Sequence, residues 1–240
     1  MILSASSIDV WMKCPRRWMY QYVWRLKSPQ GIPQAIGQAV HSAVEAHYRD
    51  LDPVEALSRA FEAEVAQVPI SEVVDDPDAR ADAEAAFAAY QREVMPWWHP
   101  TMVERKFAFD WDGVRVTGII DGADETTDTV ADTKVTAGKT INGRKPRFDP
   151  ARYDFQLALY DLGYESITGR PAKEVRLDVV SRRGTYRKFV RNPSVKDALD
   201  IVSIVRDAAS TGEYDATGAF SGACRWCPYS EICPSSANKQ

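Results

Sequence analysis

The pattern of apolar and polar positions divides the chain into a helical first part and a mixed second part. Ile8, Trp11, Met12, Trp18, Met19 and Tyr22 recur at helical spacing, which predicts a helix over 6–24 capped by Ser6 or Ser7. Ser28-Pro29-Gln30-Gly31 breaks it, and Pro33 opens a second helix to about Asp50. Asp52-Pro53 and Asp76-Pro77 each announce a further helix, an Asp cap with proline at the first helical position. The last of these is alanine-rich and ends before Pro96.

After Pro100 the period changes. Residues 102–110 and 114–120 are rich in β-branched and aromatic side chains and flank Asp112-Gly113, which predicts a hairpin. A strand follows over 129–135. Thr136 to Pro150 carries Gly138, Lys139, Gly143, Arg144, Lys145 and Arg147 and reads as a basic loop. Then come a helix over 152–168, strands over 175–181 and 185–190, and a helix from Pro193 to about Ser210. The tail from Thr211 reads as loop. This order predicts an α/β fold, a mixed central sheet flanked by helices.

Length and composition add little except in their distribution. With 240 residues, 45% hydrophobic and 27% charged, the chain suits one domain. It divides into a helical part (1–100), an α/β core (101–210) and a cysteine region (211–240) joined by Cys14. No apolar run approaches the about 20 residues that span a bilayer, and no signal-peptide pattern opens the chain. A cytoplasmic protein with reduced or metal-bound cysteines is therefore expected. The net charge of −4 argues against a polyanionic partner, but residues 50–93 alone hold 12 acidic and 3 basic side chains. The rest of the chain is positive, and local potential is what steers a polyanion.

Cys224, Cys227 and Cys233 form C-x-x-C-x5-C, while Cys14 stands alone near the other end. Four cysteines in this pattern read as one site that ties the chain ends together. Pro15, Pro228 and Pro234 each follow a cysteine and favour non-helical backbone there. By spacing, a zinc ion and an iron–sulfur cluster are equally admissible.

On a strand, Asp132 and Lys134 share a face, so Val130-Ala-Asp-Thr-Lys-Val135 offers a carboxylate for a divalent metal beside an ammonium. Such a pair also occurs on ordinary exposed strands. Asp121, after Ile119-Ile120, sits where a buried strand ends, and a neighbouring strand would let it share a metal with Asp132. His41, one turn after Gly37, is a candidate nitrogen ligand. Gln156 and Tyr160 share a helix face suited to phosphate, sugar or base.

In order, the chain shows Ser7-x3-Trp11-x2-Cys14-Pro15, Gly37-x3-His41, Glu104, Gly118-x2-Asp121, Asp132-x-Lys134, Gln156-x3-Tyr160 and the cysteine trio. This set resembles the PD-(D/E)XK nuclease superfamily in its RecB-like exonuclease branch, close to the CRISPR-associated Cas-four exonucleases and the AddB nuclease domain. The resemblance implies a restriction-endonuclease-like core and metal-dependent hydrolysis of DNA, often from single-stranded ends. It implies manganese or magnesium on His41, Asp121, Asp132 and the Thr133 carbonyl, with Lys134 and Glu104 in the catalytic set. Gln156 and Tyr160 then contact DNA, as the loop residues Arg144, Lys145 and Arg147 are expected to. The four cysteines then hold a [4Fe–4S] cluster. The implied settings are recombination or repair, bacteriophage DNA metabolism or CRISPR adaptation, in a bacterial or phage-infected cytoplasm. A homo-oligomer or a protein partner fits such settings. Two other readings are a non-catalytic DNA-binding or assembly module, with the acidic segment as docking face, and a zinc-stapled binding protein.

Overall fold

The computed structural model of the chain describes residues 1–136, 148–184, 187–218 and 222–236. The chain opens with a short strand β1 (Ile2–Ser4) and helix α1 (Ala5–Lys13), capped by Ser4, whose Oγ accepts from Ser7 N at 3.1 Å. The expected helix over 6–24 does not run through. Cys14 precedes Pro15, and the proline ring disfavours helical backbone at the residue before it. Cys14 is extended (φ −172°), and the chain restarts as α2 (Pro15–Trp18) and widens into a π-helical turn, Met19–Val23. The apolar face predicted for one continuous helix is therefore split. Trp11, Trp18 and Met19 are buried, whereas Met12 and Tyr22 are exposed.

Three helices follow largely as expected: α3 (Ile32–Tyr48), α4 (Pro53–Val65, with Asp52 capping Val54 N and Glu55 N) and, beyond a short unpredicted α5 (Ile70–Asp75), α6 (Ala79–Glu93). The hairpin joins β2 (Met102–Trp111) to β3 (Val114–Asp124). Asp112 and Gly113 both take positive φ, 49° and 77°, the pair of left-handed residues a two-residue hairpin turn needs. Next come β4 (Thr129–Thr136), a 3-10 turn (Pro150–Tyr153), α7 (Asp154–Thr168), β5 (Glu174–Ser181), β6 (Arg187–Arg191) and α8 (Val195–Thr211). Ser194, not Pro193, caps α8.

Among the described residues the sheet has six strands and mixed direction. The long β3 pairs along one edge with β2. Its other edge is divided: β1 runs parallel to Arg115–Thr117, and β4 runs antiparallel to Gly122–Asp124. Residues 118–121 of that edge carry no ladder partner, so the sheet has a notch between β1 and β4. β4 continues in parallel register with β5, and β6 closes the far edge.

Helices cover both faces. Ile8, Phe107, Val116, Ile120, Leu159 and Val202 belong to the core between the sheet and α1, α7 and α8. Ile36, Val40, Leu57, Phe87, Ala131 and Val180 belong to the core beneath α3, α4 and α6. Full burial of each large aliphatic side chain contributes roughly 1.5–3 kcal/mol.

The Phe107 ring is wedged between two glycines. A Cβ on Gly163 of α7 would lie 2.5 Å from Cγ of that ring, and one on Gly118 of β3 would clash with its far end. The two glycines let the helix settle onto the sheet with the ring between them. Gly163→Ala should therefore lower stability by about 1–3 kcal/mol through overpacking, read as the urea midpoint. Gly37→Ala, where an added Cβ meets nothing within 4 Å, should instead leave stability unchanged or raise it by up to about 1 kcal/mol. Equal midpoints for both variants would refute the wedge.

Candidate functional site

The notch gathers side chains from both helical layers. Continuing the β2–β3 register places Glu104 opposite Asp121, and continuing the β3–β4 register places Asp121 opposite Asp132, at the rung where β3 and β4 part. Asp121 does not end its strand, as the sequence suggested, but lies inside it. Glu104 takes φ 47° within a strand, a left-handed conformation costly for a residue with a Cβ. From α3, His41 Nδ1 lies 3.6 Å from Asp121 Oδ2 and 3.9 Å from Glu104 Oε1. Ligand atoms of His41, Glu104 and Asp121 all fall within 4.8 Å of one another, a set with the composition of a divalent-metal site. Gly37 is not needed for close approach to a neighbour, since space lies open beside it.

Asp132 lies next to this trio but is bound differently. Its side chain is fully buried. Oδ1 accepts from Lys134 Nζ at 2.8 Å and from Gln156 Nε2 at 3.2 Å. Oδ2 is buried with no hydrogen-bond partner among the described residues. A buried carboxylate oxygen left without a donor is costly, and a cation beside it removes the cost. Burial pushes the Asp132 carboxyl up to about 6 against the pull of Lys134, with the Asp121 charge adding to the rise. For His41, burial opposes the charged ring, but Asp121 and Glu104 outweigh it and hold the imidazolium to about 9. Burial also works against the Lys134 ammonium, and Asp132 and Asp121 overcome it, so this group stays charged. Its Nζ stands 5.4 Å from the centroid of the Tyr153 ring.

The residues around these are held in turn. Gln156 Nε2 donates to Tyr160 Oη at 2.6 Å, and Tyr160 packs edge-on against Phe107 at 6.0 Å between ring centroids. Thr133 N donates to Asp121 Oδ2 at 2.8 Å. Tyr90 lies close enough to the Thr133 and Tyr48 hydroxyls to be influenced by both, and the Tyr48 hydroxyl donates to the Trp98 carbonyl at 3.0 Å. Burial pushes Tyr48 up to about 12, so the hydroxyl keeps its proton. On β5, Asp178 pairs in register with Thr133 and accepts from Arg176 Nε at 2.8 Å, both side chains buried. The Arg176 guanidinium stacks 4.1 Å from the Trp98 ring. Tyr48, Tyr90, Arg176 and Asp178 were not singled out by sequence. Buried tyrosines on two separate helices carry no local signal, though Arg-x-Asp within an apolar strand run is one.

The cleft in front of the trio is lined by Ser4, Ser6, Gln38, Lys106, Gln156 and Tyr160. Glu45 pairs with Arg49 at 2.7 Å. Arg144, Lys145 and Arg147 lie outside the described residues.

The cysteines converge at the other end of α1. Cys14, Cys224, Cys227 and Cys233 line one cavity with Arg16, Arg17 and Tyr20, and none is in a disulfide. A Cβ on Gly218 would lie 3.2 Å from Cys224 Sγ and 3.6 Å from Cys14 Sγ, so a side chain there would crowd the sulfurs. The chain ends are also joined without the sulfurs. Arg16 N and Nε donate to the carbonyls of Asp215 (3.1 Å) and Tyr214 (2.8 Å), and Tyr229 Oη donates to the Leu26 carbonyl at 2.8 Å. Among the described residues no helix is long and apolar enough to cross a membrane.

The family model of the PD-(D/E)XK nuclease superfamily matches residues 2–234. Among solved structures, a provisionally designated exonuclease from Eubacterium rectale is similar at 15% identity and a TM-score of 0.63, covering 100% of this chain and 88% of that one. The protein SSO0001 is similar at 13% identity and a TM-score of 0.51, covering 98% and 86%. At these identities the likeness concerns the fold. No curated protein matches the chain.

Two expectations follow from the geometry. A metal ligand set requires neutral His41 and ionised Asp132, which here keep protons to about 9 and about 6. Manganese affinity should rise with pH across that window with release of protons, measured by calorimetry in buffers of different ionisation heat. Without metal the sign reverses. His41, raised above its usual value of about 6.5, contributes stability that is whole below that pH and lost as pH rises through about 9. Asp132, raised from about 3.9, adds a loss of stability as pH rises to about 6. Metal affinity independent of pH from 6 to 9 would exclude His41 as a ligand. Separately, Tyr90→Phe removes a buried phenol beside Thr133 and Tyr48 and should cost about 1 kcal/mol; an unchanged melting temperature would show that this hydroxyl holds nothing in place.

Proposed function

Because the chain belongs to the PD-(D/E)XK nuclease superfamily, we propose that it is a divalent-metal-dependent deoxyribonuclease of the RecB-like branch, acting as an exonuclease on single-stranded DNA ends. The observation that carries this reading is the Asp132 carboxylate, fully buried, with one oxygen held by Lys134 and Gln156 and the other without a partner beside the His41–Glu104–Asp121 trio. Nucleases of this superfamily typically use magnesium or manganese. The donor set of carboxylate oxygens and one imidazole fits such an ion, with the Thr133 carbonyl as a further candidate ligand. The ion, when bound, supplies an activated water and neutralises charge on the scissile phosphate.

The chain's own groups do the rest. Lys134, kept charged by its two carboxylate neighbours, stabilises charge that develops on the phosphate. Gln156 fixes the rotamer of Asp132, and Tyr160 fixes Gln156. Thr133 orients Asp121 through its amide. Glu104 adds a second carboxylate beside the His41 ring, 3.9 Å from Nδ1. Gln156, Tyr160 and the basic residues Arg144, Lys145 and Arg147 are assigned to DNA contact.

For the cysteines, the proposal is a [4Fe–4S] cluster rather than zinc. What supports it is the one-plus-three cysteine pattern of the RecB-like branch, together with the single cavity that all four thiols line. In this reading the whole of 1–240 is a single nuclease domain, with its helical part, its core and a cluster region closed by Cys14. The setting is cytoplasmic DNA recombination or repair, phage DNA metabolism or CRISPR adaptation.

The test is degradation of end-labelled single-stranded DNA with manganese by anaerobically prepared protein. Wild type should release short products, and Asp132→Ala and Lys134→Ala should each slow this by about a hundredfold or more while remaining folded. The preparation should be brown and hold iron and acid-labile sulfide. Intact DNA with folded, metal-loaded wild type, or undiminished cutting by Asp132→Ala, would overturn the assignment.

A further inference from the structure

The first 44 residues hold five basic side chains, Lys13, Arg16, Arg17, Arg25 and Lys27, against a single acid, Asp9. In a chain of net charge −4 this is a local excess of +4. The positive charge falls where aromatic rings reach solvent. Tyr22, Val23, Trp24 and Arg25 are consecutive exposed residues at the end of the π-helical turn, and Trp24 is 59% exposed. The wide turn and the left-handed Arg25 (φ 54°) swing this segment outward. Each exposed ring is backed by a buried one. Trp24 stands edge-on to Tyr20 at 5.2 Å, and Tyr22 lies 5.7 Å from Trp18. Packing against these buried rings supports the exposed ones from behind and leaves their outer faces open on a basic surface.

This surface leads toward the notch. Asp9 is within electrostatic reach of both Tyr22 and Tyr153, and Tyr153 lies under the Lys134 ammonium at 5.4 Å. The charge of Asp9 is itself countered by Lys13 at 2.5 Å. Tyr22 and Tyr153 thus share the neighbourhood of one neutralised carboxylate, and Tyr153 also adjoins Lys134.

We propose that Tyr22, Trp24, Arg25 and Lys27, continued by Tyr153, form a track that holds single-stranded DNA and delivers it to Asp132 and Lys134. An unpaired strand offers base faces to Trp24 and Tyr22 and phosphates to Arg25 and Lys27. A duplex keeps its bases stacked on each other and offers only the phosphates. The inference rests on the nuclease reading and adds to it the form of nucleic acid and the path it takes.

The test is equilibrium binding of a fluorescent oligothymidylate to the full chain, with calcium in place of manganese. Trp24→Ala should weaken binding by at least about fivefold, the lower end of what one base stack contributes, and Trp24→Phe should restore most of it. The pair Arg25→Asn with Lys27→Gln should lower the salt slope by about 1.4, two single-strand phosphate contacts. Asparagine is chosen because it tolerates the left-handed backbone. A blunt duplex of equal length should lose less from Trp24→Ala. Unchanged affinity and salt slope in these variants, or equal losses on duplex, overturn the track. A wild type that cuts DNA while the variants bind like it leaves the nuclease standing and removes the track. A wild type that binds through Trp24 yet never cuts does the reverse.

Discussion

A carboxylate sealed from water at the point where two strands separate is the constraint around which the rest is arranged. Asp132 would be untenable as a buried charge in an uninterrupted sheet. It is tolerated because β1 and β4 share one edge of β3 and leave a notch, and because Lys134 and Gln156 hold one of its oxygens. The sheet's irregularity and the chemistry of the site therefore have one origin. Strained backbone at Glu104 is part of the same arrangement, since an ordinary strand residue there would not bring that carboxylate toward His41.

What stands behind the notch is as ordered as what lines it. The Phe107 ring, fitted between two glycines, supports Tyr160, which holds Gln156, which holds Asp132. On the other face Tyr90 is buried beside Thr133 and Tyr48, and the Tyr48 hydroxyl donates to a backbone carbonyl. Support of this kind holds the carboxylate oxygens of the notch in one arrangement.

Much of this was legible in the sequence where the signal is local. Asp112-Gly113 set the hairpin, alternation put Asp132 and Lys134 on one face, and the four-residue spacing joined Gln156 to Tyr160. What needed the folded chain was long-range or conformational. Nothing near Glu104 in sequence announces a positive φ. The partnership of His41 with Asp121 spans two layers. The helix expected over 6–24 failed because the effect of Pro15 on Cys14 outweighs apolar periodicity. The strand Ile2–Ser4 was missed because three residues carry no period.

The two ends of the chain are knitted together by amide, guanidinium and phenol donors: Arg16 to residues 214 and 215, and Tyr229 to Leu26. Small metal-organised modules rely on their ion for shape. These bonds use no sulfur, so the joining of the chain ends does not rest on the thiols alone.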